Sequence, residues 1–222
     1  MKNEYWHKKW QHSDIGFNQS QPNELLKQYF RTLNLKPGAR VFVPLCGKSI
    51  DMIWLREQGY QVLGIELSLI ACEAFFKENN ITTHITQTDN FSIFQGDNIT
   101  LYAGDFFKLS KTMLGKIDAV YDRAALIALP AELRQQYAKH LSQVLGKDAL
   151  MLLITVSYNQ NEMPGPPFSV DETEVKALYS ANFNINQLYN EPFLIPQHLL
   201  ARGLMQANEQ AYRLIGKNFK AS

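Results

Sequence analysis

The residues with the clearest potential for chemistry lie in the segment Pro44-Leu45-Cys46-Gly47-Lys48-Ser49, between a short β-prone run and a helical pattern. A strand, a tight loop and a helix in this order place the loop at a helix start, where free amide groups and the positive dipole end favour an anion such as a carboxylate. Gly47 permits close approach of the backbone. A phosphate-binding P-loop needs a glycine five residues earlier, where Phe42 stands. Taken alone, the loop is equally compatible with a tight structural turn.

Glu66 ends the next β-prone run, QVLGIE, 19 residues after Gly47. Doubly wound α/β folds place an acid at about this spacing on the two hydroxyls of a ribose, because a carboxylate accepts both hydroxyl donors. The alternative is a helix-start acid that interacts with the backbone amides after Ser68. Together, the loop and the acid favour a cofactor of the adenosine type.

Two further strand ends carry polar side chains. Asp105 has an acceptor suited to the exocyclic amine of adenine, and Phe106 is able to contact the ring face. Asp105 is equally explained as a helix cap. Arg123 ends another buried run, where a guanidinium binds a carboxylate or an anionic acceptor through two parallel hydrogen bonds. The alternative for Arg123 is a local ion pair with Asp122.

Large aromatic side chains are concentrated in a polar N-terminal segment. Trp6, Trp10 and Phe17 are expected there if the segment folds over a ligand, and Trp10 is placed to approach a sulfonium by cation–π attraction. The alternative is that these rings only anchor the segment on the domain. The stiff segment from Pro164 to Phe168 borders an acceptor pocket or forms a structural turn.

The elements that must position these residues follow from the apolar patterns. An amphipathic helix begins at Asn23, and two strand-helix units follow it, with Ser68 as an N-cap. FSIFQ and NITLY flank Gly96-Asp97 as a hairpin or two short strands, buried strands surround a helix over 131–145, and FNINQLY and QAYRLIG supply the last strands. The sequence predicts one α/β domain with a doubly wound sheet, preceded by a lid.

The composition excludes several classes of function. The chain has 22 basic and 21 acidic residues and no basic stripe, so it has no excess charge for nucleic acid or an anionic membrane. Its 2 cysteines cannot form a disulfide framework, and no run is apolar enough for export or a membrane span. The 5 histidines form no metal-ligand motif. We therefore expect a soluble, cytoplasmic monomer without a metal, whose partner is a small molecule.

Long strings of this sequence resemble one known family. VFVPLCGKSIDMIWL, GIELS, EAFF, GDFFKL, VYDRAALIALP and PGPPFSV closely resemble the thiopurine S-methyltransferase family in its bacterial form, nearly from end to end. The resemblance implies a class I S-adenosylmethionine-dependent methyltransferase fold with a mostly parallel, seven-stranded sheet flanked by helices. It also implies an N-terminal lid and helix over 1–35 and a Rossmann-like core over 36–222.

The resemblance also implies roles for individual residues. S-adenosylmethionine is expected to bind Trp10, Leu45, Glu66 and Arg123, with Asp105 and Phe106 at the adenine end. The acceptor is expected to contact Phe17, Arg123 and Arg202. The expected reaction is methyl transfer to the sulfur of small aromatic or heterocyclic thiols, with no general base assigned. Methylation of selenium or tellurium oxyanions or another small nucleophile, and a non-catalytic cofactor-binding module, remain as alternatives.

Overall fold

One mixed sheet organises the chain in the computed structural model, which describes residues 3–146 and 148–220. Its nine strands are β1 (Arg40–Val43), β2 (Gln61–Glu66), β3 (His84–Gln87), β4 (Phe91–Gly96), β5 (Ile99–Gly104), β6 (Ala119–Arg123), β7 (Leu150–Ser157), β8 (Phe183–Pro192) and β9 (Asn208–Gly216). The α-helices are α1 (Asn3–Gln11), α2 (Glu24–Tyr29), α3 (Asp51–Glu57), α4 (Leu69–Glu78), α5 (Lys111–Leu114), α6 (Ala131–Val144), α7 (Glu172–Tyr179) and α8 (Gln197–Leu200). Short 3-10 helices span Phe30–Leu33, Phe106–Lys108 and Leu126–Ala128.

The strand order is β3-β4-β5-β2-β1-β6-β7-β9-β8. The five central strands, from β5 to β7, are parallel, while β3, β4, β8 and β9 join through antiparallel pairings. The doubly wound α/β fold is therefore confirmed, because the chain leaves β1 towards β2 on one side and reaches β6 on the other. The sheet has nine strands where the resemblance implies seven, and the additional pair is β3 and β4 at one edge.

The hairpin of β4 and β5 explains part of this extension. Its turn residues Asp97 and Asn98 have φ angles of 50° and 59°. Positive φ at both central positions is the requirement of the tight turn whose twist matches that of a hairpin, and aspartate and asparagine tolerate it better than most residues. The predicted hairpin around Gly96-Asp97 is thus confirmed, and it gives β4 a pairing edge for β3.

Helices cover both faces of the sheet. On one face, α2, α3 and α4 bury residues such as Leu26, Met52 and Phe75 against Val41. On the other face, α6 and α7 pack on alternate residues of the same strands, such as Phe42. Strands that are covered on both faces are apolar along most of their length, which is why β7 has the sequence LMLLITVS. No described helix has the length and apolar character needed to cross a membrane.

The helix starts follow their capping residues. The side chain of Ser68 accepts a hydrogen bond from the Ala71 N–H, as predicted for the start of α4. The side chain of Asn23 accepts one from the Leu26 N–H, 3.1 Å away, and so caps α2. These caps fix where each helix begins relative to the strand edge.

The carboxyl ends of the parallel strands define the functional edge of the sheet. β5, β2, β1 and β6 are neighbours, so the residues that follow them lie side by side at this edge. The chain between β7 and α7 and the chain between β8 and β9 leave the sheet at the same edge, since Ser157 and Pro192 both pair with Asn208. The two segments share a small core, to which the first contributes Met163 and the second contributes Ile195, Leu199, Leu204 and Ala207.

Candidate functional site

The loop after β1 is tightly curled. Leu45 and Gly47 have φ angles of 45° and 54°, a conformation that favours glycine. The Cys46 N–H donates to the carbonyl oxygen of Ile65, 2.9 Å away, which ties the loop to β2. A Cβ added to Gly47 would lie 3.1 Å from Cζ2 of Trp10. Glycine is therefore needed at position 47 for its backbone conformation and for the close approach of the indole.

Glu66 holds the loop and the next helix together. Its Oε2 accepts a hydrogen bond from the Gly47 N–H at 2.9 Å, and its Oε1 accepts one from the Ser68 N–H at 2.8 Å. The side chain is buried, and burial raises the pKa of the carboxyl although these N–H groups act in the opposite direction. A carboxylate has about four acceptor positions. Glu66 thus contacts the amide of Ser68 itself, not the amides after it as the alternative interpretation expected, and keeps capacity for a further donor such as a ribose hydroxyl.

The start of α3 already has an anion of its own. Its first residue is Asp51, whose side chain is 1% exposed, and the preceding residue Ile50 makes no capping hydrogen bond. A carboxylate in the first turn of a helix interacts favourably with the helix dipole. Asp51 thus places a negative charge of the chain itself in the first turn of α3.

Arg123 pairs with a carboxylate from a distant part of the sequence. Its Nη1 lies 3.7 Å from Oδ2 of Asp51. The alternative prediction, a local pair with Asp122, is wrong because consecutive strand residues point to opposite faces. Asp122 instead accepts hydrogen bonds from the Tyr137 hydroxyl at 2.7 Å and from the Leu126 N–H at 3.2 Å. Burial in that position raises the pKa of Asp122 to about 6.

The two residues after β5 have separate environments. Oδ1 of Asp105 accepts a hydrogen bond from the Phe107 N–H at 2.9 Å, so Asp105 caps a 3-10 helix, as its alternative interpretation predicted. The ring of Phe106 packs against Tyr137 and His140, at centroid distances of 4.9 and 5.0 Å, and is 3% exposed. The core thus covers most of the Phe106 ring, and the contact of Phe106 with adenine stays a prediction. Asp105 itself stays at the strand edge.

The aromatic N-terminal segment lies against the loop after β1. Trp10 is buried, and its ring contacts Phe17 edge to face at a centroid distance of 5.6 Å. Phe17 makes a similar contact with Trp6 at 5.7 Å and remains 37% exposed. The segment is thus anchored by Trp10 on Gly47, while Phe17 presents part of its ring to the outside.

Arg202 belongs to a contact between two segments at the same edge. Its guanidinium donates to the carbonyl oxygens of Pro166 and Gly165, at 2.6 and 2.8 Å. It also lies close enough to Asp14 to help lower the pKa of that carboxyl, although the main cause is the hydrogen bond from Lys9. Arg202 therefore joins the segment between β8 and β9 to the proline-rich loop, beside the aromatic N-terminal segment.

The site has residues that the sequence patterns did not indicate. Asp51 and Glu209 lie near Arg123, and Asn23 and Tyr121 donate hydrogen bonds to Asp51. The one local signal in the sequence was Asp51, an acidic residue in the first turn of the helix that follows the candidate ligand loop. Their convergence depends on the sheet topology, which brings α2, α3, β6 and β9 to the same place.

This arrangement defines a class of protein. An acid at the end of β2, a curled loop after the adjacent β1 and an arginine at the end of β6 lie together at the sheet edge where Rossmann-like folds bind nucleoside cofactors. Magnesium protoporphyrin IX methyltransferase from Synechocystis PCC 6803, solved with bound S-adenosylhomocysteine, shares this fold with a TM-score of 0.64. The two chains are 14% identical, and the similarity covers 96% of this chain and 99% of the other.

The particular family follows from sequence relatives. Residues 1–217 match the family described as Thiopurine S-methyltransferase (TPMT). The thiopurine S-methyltransferase of Nitrosospira multiformis is 47% identical and covers 97% of this chain and 98% of its own length. That of Psychrobacter cryohalolentis is 46% identical, with corresponding shares of 86% and 90%. The chain belongs to the thiopurine S-methyltransferase family and is a methyltransferase whose cofactor is S-adenosyl-L-methionine, which confirms the resemblance.

Proposed function

We propose that the protein transfers a methyl group from S-adenosylmethionine to the sulfur of a small aromatic or heterocyclic thiol. The observation that carries the proposal is the partly exposed ring of Phe17, which Trp6 and Trp10 hold over the curled loop after β1. Planar rings pack favourably against such an aromatic surface. The names of the relatives from Nitrosospira multiformis and Psychrobacter cryohalolentis support the same substrate class.

The proposed cofactor contacts follow the strand ends. Glu66 accepts hydrogen bonds from the ribose hydroxyls, Asp105 accepts one from the adenine amine, and Arg123 binds the carboxylate of the amino-acid end. The backbone at Leu45 lines the cofactor, and Trp10 lies near the sulfonium. This donor set fits the cofactor, because Glu66 keeps free acceptor capacity and the guanidinium of Arg123 makes one long contact at 3.7 Å.

The proposed acceptor contacts come from the N-terminal segment, from the end of β6 and from the segment between β8 and β9. Phe17 packs on the acceptor ring, and Arg123 and Arg202 provide positive charge beside the sulfur. In this proposal residues 1–35 form the lid and its helix, and residues 36–222 form the Rossmann-like core. The contact of Trp10 with Gly47 then couples closure of the lid to the cofactor loop.

The chain assists the reaction by orientation and by exclusion of water. When bound, the cofactor supplies an electrophilic methyl group on a positively charged sulfur. The residues above hold the thiol sulfur in line with it, so that a sulfur–carbon bond forms on the acceptor as the cofactor's bond to the methyl group breaks. A thiolate and a sulfonium lose their charges together, which a water-poor site favours. Burial raises the pKa of the Cys46 thiol, so Cys46 remains protonated and is not a methyl-carrying nucleophile.

A panel of acceptors with labelled S-adenosylmethionine tests the proposal. We expect label in the product with aromatic and heterocyclic thiols, and little with the matching alcohols or amines. Transfer only to selenium or tellurium oxyanions would replace the thiol by another acceptor class. Saturated cofactor binding without transfer to any acceptor would identify a non-catalytic module and overturn the proposal.

We also propose that the protein acts as a monomer in the cytoplasm. Both cysteines, Cys46 and Cys72, are buried free thiols, a state that suits a reducing compartment. Light scattering after size-exclusion chromatography should give a mass near 25.5 kDa. A mass of twice this value at micromolar concentration would contradict the monomer.

A further inference from the structure

Asp51 is fixed from two sides by neutral donors. Its Oδ1 accepts a hydrogen bond from the backbone N–H of Asn23 at 2.8 Å, and its Oδ2 accepts one from the hydroxyl of Tyr121 at 2.9 Å. The same Oδ2 is the oxygen that lies 3.7 Å from Nη1 of Arg123. Burial raises the pKa of Tyr121 well above its usual range, so its hydroxyl stays protonated and donates. The position of the carboxylate is therefore set independently of Arg123.

The elements that meet at Asp51 belong to different parts of the proposed site. Asn23 precedes α2 and lies directly after the aromatic N-terminal segment, while Asp51 begins α3 immediately after the cofactor loop. Tyr121 and Arg123 are two residues apart on β6, so both side chains point to the face that α2 and α3 cover. One buried carboxylate thus links the end of the lid, the loop after β1 and the arginine.

Glu209 is a second acid on the same face. In the strand register, Arg123 of β6 lies opposite Ile154 of β7, and Ile154 lies opposite Ala211 of β9. Glu209 lies two residues before Ala211 and is therefore on the same face. Arg123 and the Asn23 side chain both help lower the pKa of Glu209, against a larger opposing effect of burial. The carboxylates of Asp51 and Glu209 therefore lie on the side of Arg123 that α2 and α3 cover. The other N–H donors of the guanidinium are available to a ligand.

We propose that Asp51 is a positioning residue, which holds the guanidinium of Arg123 in the orientation that binds the carboxylate end of the cofactor. The proposal rests on the function proposed above, in which Arg123 contacts that carboxylate. Asp51 acts through Arg123 and does not touch the ligand itself. Tyr121 and Asn23 support the role because they hold Asp51 in place.

Two opposite effects are expected when Asp51 loses its charge. Arg123 becomes free to adopt other rotamers, which weakens ligand binding. At the same time, Asp51 no longer competes with the ligand carboxylate for the positive charge of Arg123, which strengthens binding. The Asp51–Arg123 distance of 3.7 Å is longer than a hydrogen bond, so Asp51 uses little of the guanidinium's donor capacity. We therefore expect the loss of orientation to dominate and to weaken binding by about three- to tenfold.

The test compares two ligands that differ at the carboxylate end. S-adenosylhomocysteine carries the amino-acid group, whereas 5′-methylthioadenosine retains the adenosine and lacks that group. Calorimetry with the full-length protein should show Asp51→Asn binding S-adenosylhomocysteine about three- to tenfold more weakly, with 5′-methylthioadenosine changed by less than about twofold. Tyr121→Phe, which keeps the carboxylate and removes one donor to it, should weaken only S-adenosylhomocysteine, by about two- to threefold.

Asp122→Asn is the matched control, because it neutralises the neighbouring buried carboxylate on the opposite face of β6. It should leave both affinities within about twofold of those of the unchanged protein. Unchanged or tighter binding of S-adenosylhomocysteine by Asp51→Asn, or equal weakening of both ligands, would overturn the positioning role. If Asp51→Asn does not fold, unchanged binding by Tyr121→Phe has the same consequence. An unchanged protein that binds neither ligand would overturn the proposed function and the inference together.

Discussion

Replacement of Glu66 by glutamine separates its structural role from its proposed cofactor role. Glutamine has nearly the same size but one acceptor oxygen, so the Gly47 and Ser68 N–H groups, now 2.9 and 2.8 Å from two carboxylate oxygens, cannot both be satisfied. An unsatisfied buried donor costs about 1–3 kcal/mol. We expect a loss of about 1–2 kcal/mol in the free energy of unfolding, because the raised pKa shows that burial already disfavours the ionised carboxylate.

The loss of cofactor affinity should be larger than the structural effect alone explains. A hydrogen bond to a charged acceptor contributes about 1.5–3 kcal/mol, and about 1.4 kcal/mol corresponds to a tenfold change in affinity. Glu66→Gln should therefore weaken S-adenosylhomocysteine binding by more than about tenfold. Glu66→Ala should weaken it further, and it should also destabilise the fold because both donors lose their acceptor.

Calorimetry well below the unfolding temperature, together with urea denaturation, measures both quantities. Glu78→Gln is a control on α4, since Glu78 forms an ion pair with Lys48 while its side chain is 54% exposed. That control should change neither affinity nor stability by more than a small amount. Lowered stability with unchanged affinity in Glu66→Gln would refute the ribose role and leave Glu66 as a structural acid.

Three further predictions concern other parts of the molecule. Titration with S-adenosylhomocysteine should change the tryptophan fluorescence of the unchanged protein and of Trp54→Phe. Trp10→Phe should lose most of this change, because Trp10 contacts the cofactor loop. An undiminished change in Trp10→Phe would contradict that placement. Glu174→Gln should lower the free energy of unfolding by about 1–3 kcal/mol in urea denaturation, because Arg134 is 6% exposed and makes two hydrogen bonds to this carboxylate at 2.6 and 3.0 Å. A change below about 0.5 kcal/mol would show that the pair contributes little. Asp122 has a native pKa of about 6, above its unfolded value, so the native state binds the extra proton and this residue's contribution to stability falls as pH rises from about 4 to about 6. This dependence amounts to up to about 3 kcal/mol in the free energy of unfolding, and Asp122→Asn should remove it. Denaturation curves of the variant and the unchanged protein across this pH range test this, and parallel pH profiles of stability would contradict the raised pKa.

The strand-edge part of the site was predictable because it depends on short-range patterns. Each strand except β3, the exposed HITQ, was recognisable from its sequence pattern, and parallel strands end at one edge, so Leu45, Glu66, Asp105 and Arg123 had to lie near one another once the strand order was right. The same patterns gave the hairpin of β4 and β5 and the Ser68 cap. The packing of the Phe106 ring on Tyr137 of α6 was not predictable, because a residue after a strand has either core or ligand as its neighbour.

The partner of Arg123 required tertiary information. Asp122 was excluded by the alternation of side chains along a strand, a rule that applies to the sequence alone. The actual partner, Asp51, comes from α3, and its fixed position depends on hydrogen bonds from Tyr121 and Asn23. No local pattern links these residues, because the contacts span 28 positions between Asn23 and Asp51 and 70 between Asp51 and Tyr121.

The cofactor and acceptor parts of the site therefore differ in how the fold supports them. Apart from Trp10 on α1, the proposed cofactor contacts lie on or next to strands of the sheet, whose positions are constrained by hydrogen bonds on both sides. The proposed acceptor contacts lie on the N-terminal segment and on the segment between β8 and β9, which Arg202 links to the loop after β7 through the carbonyl groups of Gly165 and Pro166. Substitutions in these segments can reshape the acceptor pocket without moving a strand end. Acceptor selectivity is thus free to change while the methyl donor stays the same.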